Sequence, residues 1–86
     1  MPNQLILSLT LKQIRYTVAA ADFGNVTAAA VQLHVSQPSV SMAIAAVEAH
    51  YGRRLFARHR GQGMTLSSFG RRFVAEAVLF LIAPTG

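Results

Sequence analysis

One proline decides where a helix starts. It stands in the run Thr27-Ala-Ala-Ala-Val-Gln-Leu-His-Val-Ser-Gln-Pro-Ser-Val-Ser-Met-Ala-Ile44, two residues behind Ser36. Proline has no N–H to donate and a locked φ, so a helix accepts it in the first turn, where the amides are unbonded anyway. Ser36 supplies the capping oxygen, and the alanine-rich stretch upstream must be a separate short helix. With only His34 and Val35 between them, the two helices are forced to cross, as in a helix-turn-helix. The second helix is expected over roughly 37 to 50, with Val40, Ile44 and Val47 turned inward and Ser36-Gln37-Pro38-Ser39 outward. Such a short polar helix start can approach a DNA groove.

The remaining composition fits that reading and excludes others. Eighty-six residues make one small domain of modest core, so a partner chain is expected. Only Asp22, Glu48 and Glu76 are acidic, which leaves no paired carboxylates for acid/base catalysis and no oxygen-rich metal cage. There is no cysteine, hence no disulfide, thiol nucleophile or thiolate metal site. His34, His50 and His59 have no ligand-like spacing and read as surface or phosphate-side residues. No enzyme, catalytic residue, cofactor or metal is expected. The net charge is +5, and six of the eight basic residues fall between Arg53 and Arg72, the clustering of a phosphate-binding surface. Neither Leu5-Ile6-Leu7-Ser8-Leu9 nor Val78 to Ala83 is a credible signal or membrane anchor, so a cytoplasmic protein without a membrane partner is expected.

Four helices and a wing account for the chain. Thr10 with Gln13 forms a capping-box pattern, and Leu11, Ile14, Val18 and Ala21 recur at helical spacing until Gly24. Asn25 or Thr27 caps a second helix whose inner side is Ala29, Ala30 and Leu33. Gly52 closes the third. Residues 54 to 66 then change period: two strand-like pieces flank His59-Arg60-Gly61-Gln62-Gly63, a hairpin wing. Ser67 or Ser68 caps a last helix with Phe69, Phe73, Ala77 and Phe80 along one stripe, read as a dimer seam because a terminal helix beyond a closed wing has little left to cover.

Several of these segments together closely resemble the amino-terminal domain of LysR-type transcriptional regulators: Leu11-Lys12-Gln13-Ile14-Arg15-Tyr16, Ala28-Ala29-Ala30, Leu33 to Ser41, Val47-Glu48, Gly52, Leu55-Phe56-Arg58 and Leu66 to Gly70. The resemblance covers about residues 11 to 83. It implies a mainly α fold: a winged helix-turn-helix over 11–66, with three helices and a two-stranded wing, behind an extension at 1–10. Residues 67–86 become a linker (dimerisation) helix, cut before an effector-binding domain that alone would meet a small-molecule effector. The implied function is that of a bacterial, nucleoid-associated regulator of transcription. It would bind double-stranded DNA as a homodimer or higher homo-oligomer on an inverted repeat, with helix 37–50 in the major groove and wing 54–66 on the flanking minor groove or backbone.

Position by position, the resemblance gives base reading to Gln37, Pro38 and Ser41, backbone contacts to Ser36 and Ser39, and the wing tip to Arg60 or Gln62, with Arg58 in the basic wing. Thr27 and Lys12 add phosphate contacts. The chemistry agrees, since glutamine pairs with adenine, proline touches a thymine methyl and serine reaches phosphate or base edges. The chain departs from the family at Met42 and Ala43, where many members carry Arg or Gln, and Ala45 and Ala46 remove further polar length. Met42 is expected to face the phosphate wall or base edges. Two other readings stay open: a different winged-helix DNA binder, such as the related domain of molybdate-responsive regulators, or a protein-interaction module working through the apolar terminal helix.

Overall fold

The computed structural model describes residues 9–59 and 63–82. Helix α1 spans Leu11–Phe23, α2 Val26–Leu33 and α3 Gln37–Tyr51; strands β1 (Phe56–Arg58) and β2 (Met64–Leu66) follow, and α4 covers Ser68–Ile82. The wing is an antiparallel pair with Phe56 opposite Leu66, Ala57 opposite Thr65 and Arg58 opposite Met64.

Each helix starts and stops where its end chemistry requires. At α1 the capping box is closed in both directions, Gln13 N–H to Thr10 Oγ1 at 3.1 Å and Thr10 N–H to Gln13 Oε1 at 3.0 Å. Gly24 ends it at φ 61, a left-handed conformation that favours a residue without Cβ. Of the two candidate caps for α2, Asn25 serves, its Oδ1 accepting from Ala28 N–H at 2.8 Å, and Thr27 falls inside the first turn. Helix α2 closes on His34 at φ 60, with Val35 N–H bonded to Ala30 O and His34 N–H to Val31 O at 3.0 and 3.2 Å. That bonding pattern is a Schellman motif, and it sets the turn between α2 and α3.

Side chains from the four helices, β1 and the chain entering it fill one core: Ile14, Ala20, Ala29, Ala30, Val40, Ile44, Val47, Leu55, Phe56, Phe73 and Ala77, with Met64 and Leu66 of β2 packed against it. The inward set expected of α3 is buried as read. On α1 the buried line is Ile14, Thr17 and Ala20 rather than Leu11, Ile14, Val18 and Ala21; Leu11 is 52% exposed. Helix α1 packs against α2, α3 and α4 together, and the small Thr17 and Ala20 let those neighbours approach closely.

The wing is tied to the helices by backbone hydrogen bonds. Met64 N–H donates to Gly24 O at 2.9 Å, and Ser67 N–H to Leu55 O at 2.8 Å. Ser67, the cap of α4, accepts from Gly70 N–H at 2.9 Å while its hydroxyl donates to Arg54 O at 2.6 Å. Glu48 Oε2 accepts from Leu55 N–H at 2.8 Å, tying the end of α3 to the chain entering β1.

Helix α4 corrects the sequence reading. Phe73 and Ala77 are enclosed by the chain's own core, and Phe69 and Phe73 pack edge-on against Tyr51 with ring centroids 5.2 and 5.9 Å away. These two central positions offer no surface to a partner, because α4 folds back along α1. Phe80 stays exposed, beside Leu79 and Ile82.

Candidate nucleic-acid interface

The first three residues of α3, Gln37, Pro38 and Ser39, carry no large apolar side chain, and Val40 behind them is fully buried. Ser36 Oγ accepts from Ser39 N–H at 3.2 Å, and the two hydroxyls lie 2.8 Å apart. Both serines thus hold the helix start in shape before they can serve a ligand. Gln37 and Pro38 are exposed and Ser41 is half-buried. Met42 is 70% exposed, whereas Ala43 is 6% exposed and belongs to the core side of the helix. Of the two departures at 42 and 43, only the methionine faces outward.

Gln37 shares a cleft of about 210 Å³ with Thr27 and Arg58, which come from the start of α2 and the end of β1. Asn25, His59 and Met64 are among the other walls, and among the described residues no acidic one lines the cleft. The N-terminal end of α2 carries the positive end of its peptide dipoles, and the Arg58 guanidinium adds full charge beside it. Such a place suits a phosphate chemically, and the exposed Gln37 on its wall carries an amide that can both donate and accept. His59 Nε2 lies 2.9 Å from Thr65 Oγ1, which fixes the imidazole against the second strand. Asn25 signalled itself in the sequence only as a cap, and nothing local ties His59 to Gln37, since wing and helix meet through tertiary packing.

Among the described residues, the basic side chains have different surroundings. Arg58 lines the cleft, but Arg53 lies over the Phe69 ring with its guanidinium carbon 5.0 Å from the centroid. Arg71 folds back toward Leu66 O and Ser68 Oγ, both at 3.4 Å. Lys12 is on the other flank of α3, in a groove of about 410 Å³ that it shares with Tyr16, Met42 and Ala46; its Nζ is 5.9 Å from the Tyr16 ring centroid. Arg60 and Gln62, expected at the wing tip, lie outside the described residues. Among the described residues no group of three or more His, Asp or Glu side chains converges on a metal position. No helix among them is long and apolar enough to cross a membrane.

Comparison with known proteins places this geometry. Residues 11–71 match the family described as bacterial regulatory helix-turn-helix protein, lysR family. The chain is 46% identical over 69 residues to the transcriptional regulator TfdS of Cupriavidus pinatubonensis, covering 80% of this chain and 23% of that protein. It is 41% identical over 70 residues to ClcR of Pseudomonas putida, again 80% of this chain and 23% of the other. The chain therefore spans about a quarter of the length of these curated relatives. Among solved structures, the DNA complex of the CbnR DNA-binding domain superposes with a TM-score of 0.80 at 37% identity, covering 85% of this chain and 83% of that one. A DNA complex of the BenM DNA-binding domain gives 0.79 at 29% identity, covering 85% and 77%. The winged helix-turn-helix is thus shared in fold and in sequence.

Proposed function

Because the chain belongs to the lysR family of bacterial regulatory helix-turn-helix proteins, we propose that it binds double-stranded DNA to regulate transcription, with α3 in the major groove and the wing beside it. The observation that carries the reading is the cleft where Gln37, Thr27 and Arg58 meet without an acidic neighbour among the described residues. Arg58, the Thr27 hydroxyl and the α2 amides hold a phosphate there, which sets the register in which Gln37, Pro38 and Ser41 address base edges. The flanking minor groove or backbone is assigned to Arg60 or Gln62, and the strand on the far side to Lys12. Pairing of two copies on an inverted repeat uses the exposed end of α4, at Leu79, Phe80 and Ile82, rather than the enclosed Phe73 and Ala77. The site of action is the nucleoid in the bacterial cytoplasm, and any small-molecule effector acts through a domain beyond these residues. Nothing in this scheme calls for a catalytic group or a cofactor.

Affinity for a duplex enriched from a random-sequence pool, measured over a range of salt, tests the reading. Log affinity should fall linearly with log salt, with about 0.9 of slope per neutralised phosphate. Gln37→Ala should cost ~1 to 3 kcal/mol on the enriched duplex and little on random sequence, because it removes a base-edge contact and no charge. Equal losses on both duplexes, or binding indifferent to salt, would overturn it.

A further inference from the structure

Beyond Gln37, the outward face of α3 is almost bare of hydrogen-bonding groups. Its exposed positions run Pro38, Met42, Ala45 and Ala49, spacings of four, three and four that make one continuous stripe. Beside them, the half-buried Ser39 and Ser41 carry hydroxyls, that of Ser39 already paired with Ser36, and the exposed His50 adds a ring nitrogen only in the last turn. Within the stripe, Met42 is the one long side chain, 70% exposed and about 6 Å further along the helix axis than Pro38 at 1.5 Å per residue. Lys12 and Tyr16, across the groove, flank it. A methionine against phosphate oxygens would strip them of water and return nothing. The major-groove floor offers one apolar feature, the thymine C5-methyl group, and the flexible, polarisable thioether adapts its shape to such a target.

We propose that Met42 reads a thymine C5-methyl group in the major groove, making this chain's target preference at that step a preference for thymine read through apolar contact. The inference rests on the DNA-binding reading above and adds to it a residue and the chemical group it recognises. Met42 lies past the polar helix start, so this contact falls on a base step different from the one Gln37 addresses. Being uncharged, it changes sequence preference without changing the number of phosphates neutralised.

The test uses the 86-residue chain and a duplex enriched from a random pool, with each thymine replaced singly by uracil. Uracil keeps every hydrogen-bonding edge and removes only the methyl. At one position or two adjacent ones the replacement should weaken binding about three- to tenfold, the worth of withdrawing one methyl from contact. Met42→Ala should shrink that penalty below about twofold at the same position, while Met42→Leu, which keeps the apolar bulk, retains most of it. The slope against salt should be the same for all three chains. Far-ultraviolet circular dichroism confirms that the variants fold, as expected for an exposed helical site. Uracil penalties identical in the parent and in Met42→Ala would belong to another residue, such as Pro38, and overturn the proposal. An enriched duplex with no uracil-sensitive thymine overturns it as well. If no duplex is bound at all, the DNA-binding reading itself falls and takes this one with it, an outcome distinct from specific binding without methyl dependence.

Discussion

Thr17 is fully buried, and its hydroxyl finds no hydrogen-bond partner among the described residues. A buried, unbonded hydroxyl costs its desolvation, while a methyl of similar size in the same place does not. Thr17→Val should therefore raise stability by about 1 kcal/mol, read as a higher urea midpoint at unchanged slope. A loss of stability would mean that the hydroxyl has a partner. Tyr51 carries a different signature. Burial pushes its phenol above the ordinary value of 10.0, and the Glu76 carboxylate adds to the shift. The folded chain thus holds this proton more tightly than the unfolded chain does. The contribution is fully present below pH 10.0 and is lost as pH rises through the folded value. Tyr51→Phe should accordingly make the alkaline loss of stability shallower; an unchanged pH profile would count against the shift.

Between α4 and the chain entering β1, contact is backbone to backbone. A Cβ added at Gly70 would lie 2.1 Å from Leu55 O, with Leu66 Cδ2 3.0 Å away. An ordinary helical glycine is a liability of about 1 kcal/mol against alanine, so Gly70→Ala would stabilise an isolated α4. In this packing the sign reverses. The substitution should destabilise the domain by ~2 kcal/mol or more, since the α4 start must lift off the Leu55 carbonyl and disturb the Ser67 bonds that join it to Arg54 and Leu55. Thermal unfolding separates the two signs directly. Closure of α2 on His34 shows related economy: the left-handed residue of the turn is a histidine rather than a glycine, held there by the hydrogen bonds of His34 N–H and Val35 N–H to α2.

How the chain assembles depends on what α4 covers. Phe73 is 4% exposed inside the core, while Phe80 is 39% exposed near the helix end with Leu79 and Ile82. Phe73→Asp buries a charge among apolar side chains and should abolish the cooperative helical signal in circular dichroism. Phe80→Asp should leave that signal intact and shift sedimentation toward the monomer, because the charge enters only the self-complementary contact proposed for the end of α4. A folded Phe73→Asp chain would contradict the enclosure of that ring. An unchanged oligomeric state in Phe80→Asp would move the seam elsewhere.

What could be read from the order of residues alone was local chemistry. Thr10 with Gln13, Ser36 with Pro38, and the glycines at 24 and 52 act on the backbone within a few residues of themselves, so the helix limits were legible to about one residue. The inward face of α3 was legible too, since its apolar side chains repeat at helical spacing. Three matters needed the packed chain. The buried line of α1 turned to Thr17 and Ala20 because three helices press on it, and spacing on one helix does not say how many neighbours it has. The stripe on α4 divided into enclosed Phe73 and exposed Phe80 for the same reason, as an apolar face is covered by whichever element lies nearest. The cleft of Thr27, Gln37 and Arg58 joins the start of α2, the start of α3 and the wing, elements brought together by the wing's bond to Gly24 and by the common core. Periodicity names the residues that can face a ligand, but only contacts between elements distant in the chain determine which of them face the same one.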